Sequence, residues 1–163
     1  MLVPRATHLT LEAIENLAES VGKKIGLCPH GNIESLIREL GGSVHRSMNF
    51  PYLLIVHRPK NFEVYIDQYE GRGAYLIKMA MAIAYYSLHY RVAESEVMLV
   101  PEKNLCVVCY REASNFAAAL LVPREPLIEQ MRLQRQIITD VARFFDVDGR
   151  VIQHRLNSIR FYT

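Results

Sequence analysis

Tryptophan is absent, cysteine is scarce and no long apolar run exists in this chain of 163 residues. Without a stretch of about 18 apolar residues, no segment is expected to cross a membrane as a helix. The start, Met1-Leu2-Val3-Pro4-Arg5, lacks the apolar core of a signal peptide. Three cysteines are an odd number, which argues against a disulfide framework and for a reducing, cytoplasmic setting. GxGxxG, P-loop and GxSxG patterns are all missing, so nucleotide binding of those kinds and a serine-hydrolase elbow have no support. Histidines stand at 8, 30, 45, 57, 89 and 154, no two of them spaced i, i+4, so no helix offers a histidine pair to a metal.

What is present suits one domain. Half of the residues are hydrophobic and 22% are charged, enough apolar surface for a core. The net charge of +2 is unevenly placed. Residues 124–163 hold seven arginines (124, 132, 135, 143, 150, 155 and 160) against five acids, and the rest of the chain is neutral. That excess is too small to mark a nucleic-acid surface unless it clusters on one face.

Apolar periodicity predicts a helix from Leu11 to Ile25 with Thr10 as N-cap, and a short one capped by Asn32 that stops at Gly41-Gly42. Strands are expected at Ser43–Arg46, Tyr52–His57 and Glu63–Asp67, the last two joined by the turn Arg58-Pro59-Lys60-Asn61. After Gly71-Arg72-Gly73 a long, nearly all-round apolar helix runs from Ala74 to Tyr90, and such a helix belongs in the core. Residues 91–104 read as a polar connection. Leu105–Tyr110 reads as a strand or extended segment, and Arg111–Leu121 as a second, alanine-rich helix ended by Pro123. Three short helices follow, at Pro126–Arg135, Ile137–Phe145 and Gly149–Ile159. The class is α+β: helices packed on a small, mostly antiparallel sheet, as one domain over residues 1–163 with 124–163 a helical C-terminal subregion.

Cys106-Val107-Val108-Cys109 is a CxxC pattern, a spacing that can hold zinc or run redox chemistry. The two valines favour a strand, which would send the thiols to opposite faces. Cys28 and His30 could join them only by distant convergence. On this reading the cysteines are core residues.

The two central helices together resemble the ImmA/IrrE family of zinc metallopeptidases. The stretch Glu112-Ala113, Phe116-Ala117-Ala118 and Leu120-Leu121-Val122-Pro123 is similar to that family's second helix, and Lys78 through His89 to its metal helix. Pro29 through Val44, Phe62 through Ile66, and Val141 through Leu156 resemble further segments in the same order. The resemblance implies a zincin-type core. It also exposes what is missing: Met81 stands at the first zinc histidine, Ala82 at the general-base glutamate and Tyr85 at the second zinc histidine. His89 remains, and of two neighbouring carboxylate positions on the second helix, Tyr110 has lost its acid and Glu112 keeps one.

A catalytic zinc needs three protein ligands and a water. A methionine thioether suits softer metals, and alanine cannot take a proton from water. The expectation is therefore no catalytic residue, no metal and no cofactor: a pseudo-peptidase that acts by binding protein. The resemblance implies a helix-turn-helix repressor as partner, with a phage or prophage setting, the chain being a non-cleaving antirepressor or sequestering factor. The expected contact zone is Met81, Tyr85, Tyr86, His89, Glu112 and Asn115, against a plainer reading of the tyrosines as half-buried packing. One alternative is a DNA-binding regulator using the helix-turn-helix-like tail, with Arg150 and Arg155, and beside them His154 and Arg160, meeting phosphates. Another is an active enzyme with relocated ligands, namely His89, Glu112 and His57 or His45.

Overall fold

The computed structural model describes residues 2–24, 26–27, 31–90, 96–103 and 106–159. Ile25, Cys28, Pro29, His30, Leu105 and Arg160, which the sequence reading invoked, lie outside them.

Among the described residues, seven helices and a four-stranded mixed sheet make up the fold, with strands β1 to β3 consecutive and the helices grouped on either side in sequence, as in the α+β class. Helix α1 (Leu11–Lys23) starts where the Thr10 hydroxyl accepts from the Ala13 N–H. Helix α2 (Ile33–Glu39) starts where the Asn32 side chain accepts from Glu34 and Ser35. Strands β1 (Gly42–Arg46), β2 (Tyr52–Arg58) and β3 (Asn61–Ile66) follow. The β2–β3 hairpin turns on Pro59-Lys60, Lys60 taking a left-handed φ of 60°. Gly41 also has a positive φ, 96°, and a Cβ there would collide with the Lys60 backbone, so glycine alone lets β1 enter beside the hairpin.

The sheet order is β1-β3-β2-β4. β1 runs parallel to β3, while β2 is antiparallel to both β3 and β4, so the sheet is mixed and mostly antiparallel, as expected. Phe62, Val64 and Ile66 of β3 point into the core. Glu63 and Tyr65 alternate to the outer face, beside Ser43 and His45 of β1.

Two expectations need correction. Residues 91–104 are not only a connection: Met98–Pro101 forms β4 on the edge of β2, and Leu2 bridges to Met98 on its far side. The segment near residue 106 is no strand either. Helix α4 (Val107–Leu121) begins there with Cys106 as N-cap. The valines that suggested a strand occupy the first two helical positions, where Val107 is 77% exposed and crowds no preceding turn. Cys109, Ala113 and Phe116 continue the buried stripe of α4 backwards at helical spacing, and that packing decides the state.

Helix α3 (Arg72–His89) lies between the sheet and α4, with Met79 through Tyr85 all buried. Helix α4 packs on both α1 and α3. Helices α5 (Arg124–Leu133), α6 (Ile138–Phe145) and α7 (Gly149–Ile159) build a second apolar cluster from Leu127, Val141, Phe145 and Ile152, which meets the main core through Leu121 and Val122. No helix among the described residues is long and apolar enough to cross a membrane.

Candidate functional site

Met81, Tyr85 and His89 recur every four residues, so they form one stripe of α3, and that stripe faces α4. The Met81 sulfur accepts from the Ser114 hydroxyl at 3.8 Å. Tyr85 is fully buried with its ring 5.3 Å from that of His89, and the described residues offer its hydroxyl no hydrogen-bond partner. Burial first, then the neighbouring Cys109, Tyr110 and Cys106, push its pKa far up, so the phenol stays neutral. Ala82 is fully buried as well.

Glu112 closes the stripe at its far end. Its carboxylate accepts from His89 Nε2 at 2.9 Å, from the Thr7 N–H at 3.0 Å, from the Thr7 hydroxyl at 3.0 Å and from the His8 N–H at 2.9 Å. His8 adopts a left-handed φ of 56°, which turns two successive N–H groups onto one carboxylate. Burial raises the Glu112 pKa, but these hydrogen bonds outweigh it and the net shift is downward. The group is an ionised, saturated acceptor that fastens the N-terminal segment to α3 and α4.

Tyr86 and Asn115 do not join this stripe. Tyr86 is on the sheet side of α3, where its ring stacks on Phe62 at 4.2 Å and its hydroxyl accepts from the Lys60 N–H at 3.0 Å. Asn115 accepts from His154 Nε2 at 2.9 Å and so fastens α7 to α4. Tyr85, His89 and Glu112 are 0%, 3% and 5% exposed.

What stays open is the rim. A groove of about 340 Å³ runs between α3, α4 and α7, floored by Ile77, Met81, Ala118 and Leu121 and edged by Tyr110 and Arg150. A second hollow of about 290 Å³ adjoins it across Met81, Ile77 and Tyr110 and reaches Pro101 of β4. Tyr110 is half exposed and was not singled out as a contact by the sequence, although its place one turn before Ser114 sets it on this rim. A larger depression of about 530 Å³, around Phe50, Tyr65 and Lys78, lies away from the stripe, and its Lys78 is already held by Glu70 and Glu102.

The relocated-ligand arrangement is not assembled. His57 Nε2 lies 2.7 Å and His45 Nε2 3.6 Å from the Glu63 carboxylate on the outer sheet face, whereas His89 and Glu112 are buried between helices. Among the described residues no group of three or more His, Cys, Asp or Glu is set to hold a metal ion. The donor set on the stripe does not fit zinc: a thioether, a phenol kept protonated by burial, and a carboxylate whose oxygens are already taken.

Arg155 also needs correction. It is no candidate for phosphates, being fully buried, with Nη1 2.6 Å from Glu15, Nε 2.8 Å from the Val122 carbonyl and a further bond to Glu19. Arg150 is exposed and paired with Asp148 at 3.1 Å.

These positions can be compared with known proteins. No curated protein matches the sequence. The solved structure of a Mycobacterium tuberculosis transcriptional regulator superposes on 90% of this chain with a TM-score of 0.60 at 21% identity. The likeness is one of fold, and the chain spans 46% of that regulator's length. The family model of the IrrE N-terminal-like domain matches residues 52–157, from the start of β2 to the last turn of α7. That span holds the stripe, the rim and the sheet edge, and it assigns the chain to the IrrE N-terminal-like family of peptidase-type domains, the ImmA/IrrE family.

Proposed function

We propose that this chain is a catalytically silent member of its family that works by binding a protein. The observation that supports the reading is the burial of Met81, Ala82 and Tyr85 in the core. Met81, Ala82 and Tyr85 stand where the resemblance places two zinc histidines and a general base, and all three are buried among apolar neighbours. Replacing ionisable ligands with such side chains removes the cost of burying polar groups without a metal. Of the two carboxylate positions, Tyr110 borders Met81 and Tyr85, while Glu112 is engaged with His89 and the N-terminal segment.

The open groove beside this filled centre has the apolar floor and polar rim suited to an amphipathic helix. Active relatives are implied by the resemblance to recognise helix-turn-helix repressors, and the fold relative is described as a transcriptional regulator. The occupant we infer is a helix of such a repressor, held and not cut.

The test is capture of the tagged full-length protein from its own host with nuclease present, together with the metal content of the purified chain. An intact helix-turn-helix repressor in stoichiometric amount and far less than one zinc per chain are expected. Ile77→Glu, on the half-exposed groove floor, should weaken the complex by about tenfold or more through an unpaired charge, with the melting temperature unchanged. A cleaved repressor, or proteolysis abolished by a chelator, would sink the reading.

The DNA-binding alternative draws little from the tail. The face of α7 that carries Ile152, Arg155 and Ile159 is buried, and Arg150 is neutralised by Asp148.

A further inference from the structure

The CxxC segment takes on a different meaning once it is seen to start a helix. Cys106 is the N-cap of α4 and exposed, while Cys109, one turn on, is fully buried. Residues at i and i+3 share a helix face with Cβ atoms about 5–6 Å apart. The thiols therefore do not diverge but lie on one face at the start of α4. We propose that Cys106 and Cys109 form a thiol–disulfide exchange site, Cys106 attacking a small-molecule disulfide and Cys109 resolving the adduct.

Four features support this assignment. The Cys109 backbone N–H, then its thiol, then the Val108 N–H favour the thiolate at Cys106, so its pKa falls below the ordinary thiol value although Glu112 opposes. Burial, followed by the Cys106 sulfur, pushes Cys109 up to about 12 and keeps it protonated until it is needed. An exposed low-pKa cysteine beside a buried partner is the division of labour that exchange requires. Closing the disulfide draws the sulfurs together by a small movement, which the N-cap residue can make without breaking a turn of α4. Finally, no third His, Cys, Asp or Glu among the described residues joins the pair in a metal-binding group.

The chemistry balances with a disulfide R–S–S–R as oxidant. Cys106 thiolate attacks one sulfur, the S–S bond breaks and RS⁻ leaves, which gives the Cys106–S–S–R adduct. Cys109 passes its proton to the released RS⁻ and attacks Cys106 Sγ, expelling the second thiolate, which takes from solvent the proton that Cys106 gave up on ionising. Two protein thiols are oxidised to one disulfide, and R–S–S–R is reduced to two RSH.

The probe is oxidised glutathione on the full chain carrying Cys28→Ser, which removes the remaining cysteine. Mass spectrometry is expected to find a Cys106–Cys109 disulfide and no lasting adduct. Cys109→Ser should trap the glutathione adduct on Cys106, and Cys106→Ser should form none. In the reduced protein at neutral pH, Cys106 should alkylate about a hundredfold faster than Cys109 or more. Failure of Cys109→Ser to form the adduct, equal alkylation of the two thiols, or protection of both by added zinc would overturn the assignment.

Discussion

Arg155→Ala is expected to lower the stability of the fold by about 3–5 kcal/mol, the range for removing one partner of a buried ion pair. The side chain is fully buried, and every direction of its guanidinium is used, on Glu15, Glu19 and the Val122 carbonyl. Truncation takes from the buried Glu15 carboxylate the guanidinium that donates to it, and takes from the Val122 carbonyl its donor. Together with the bond to Glu19, the pair joins α1 to α7, segments about 140 positions apart in the chain. Urea denaturation of the variant should show a lower midpoint. The double variant Glu15→Gln with Arg155→Met should recover part of the loss, because it buries neither charge. A change within about 0.5 kcal/mol would mean that Arg155 is a surface group, as a phosphate contact would be. The outcome therefore separates a structural tail from a DNA-reading one.

The same residue marks the limit of what could be read in advance. Arg155 falls between Ile152 and Ile159 at helical spacing, so the α7 pattern already put it on the buried stripe. An arginine normally outranks that pattern, because a lone sequence does not display the acid that would pay for its burial. That acid, Glu15, lies on the α1 stripe beside Ile14 and Ala18. Long periodic segments such as α1, α3 and α4 were legible because their apolar repeat is self-contained. Strand β4 was not. Four residues, Met98-Leu99-Val100-Pro101, carry too little alternation to stand out, and β2 defines them as a strand by pairing. That Met81, Tyr85 and His89 share one face of α3 was legible from their four-residue spacing, but the depth of that face was not. Whether Met81, Tyr85 and His89 border a groove or fill it depends on how closely α4 approaches, which alanines at 117, 118 and 119 permit without specifying.

Glu112 is where the filled centre can be tested most directly. Glu112→Ala should cost about 3–5 kcal/mol at neutral pH, since it strips the acceptor from His89, from the Thr7 and His8 N–H groups and from the Thr7 hydroxyl in a buried setting. The pH dependence has a definite sign. The native pKa lies below the ordinary value of 4.5, so between the two values the unfolded chain binds more protons and stability rises with pH. The contribution is complete above about pH 4.5 and drains away as the pH falls through the lower native value. Glu112→Gln, which keeps the shape but cannot ionise, should lose stability at pH 7 and lack that part of the acid limb. The gap between wild type and variant should therefore shrink on acidification, even though Glu63 and Asp148 are also lowered and titrate in both proteins. A gap that stays constant from neutral pH down through the acid transition would refute the account of Glu112 as an ionised hub. If the carboxylate were instead reserved for a metal, zinc would have to displace four hydrogen bonds, and a ligand that binds only the native state would raise the melting temperature with its concentration. Wild-type protein should show no such rise, because the oxygens that zinc would need already hold the N-terminal segment in place.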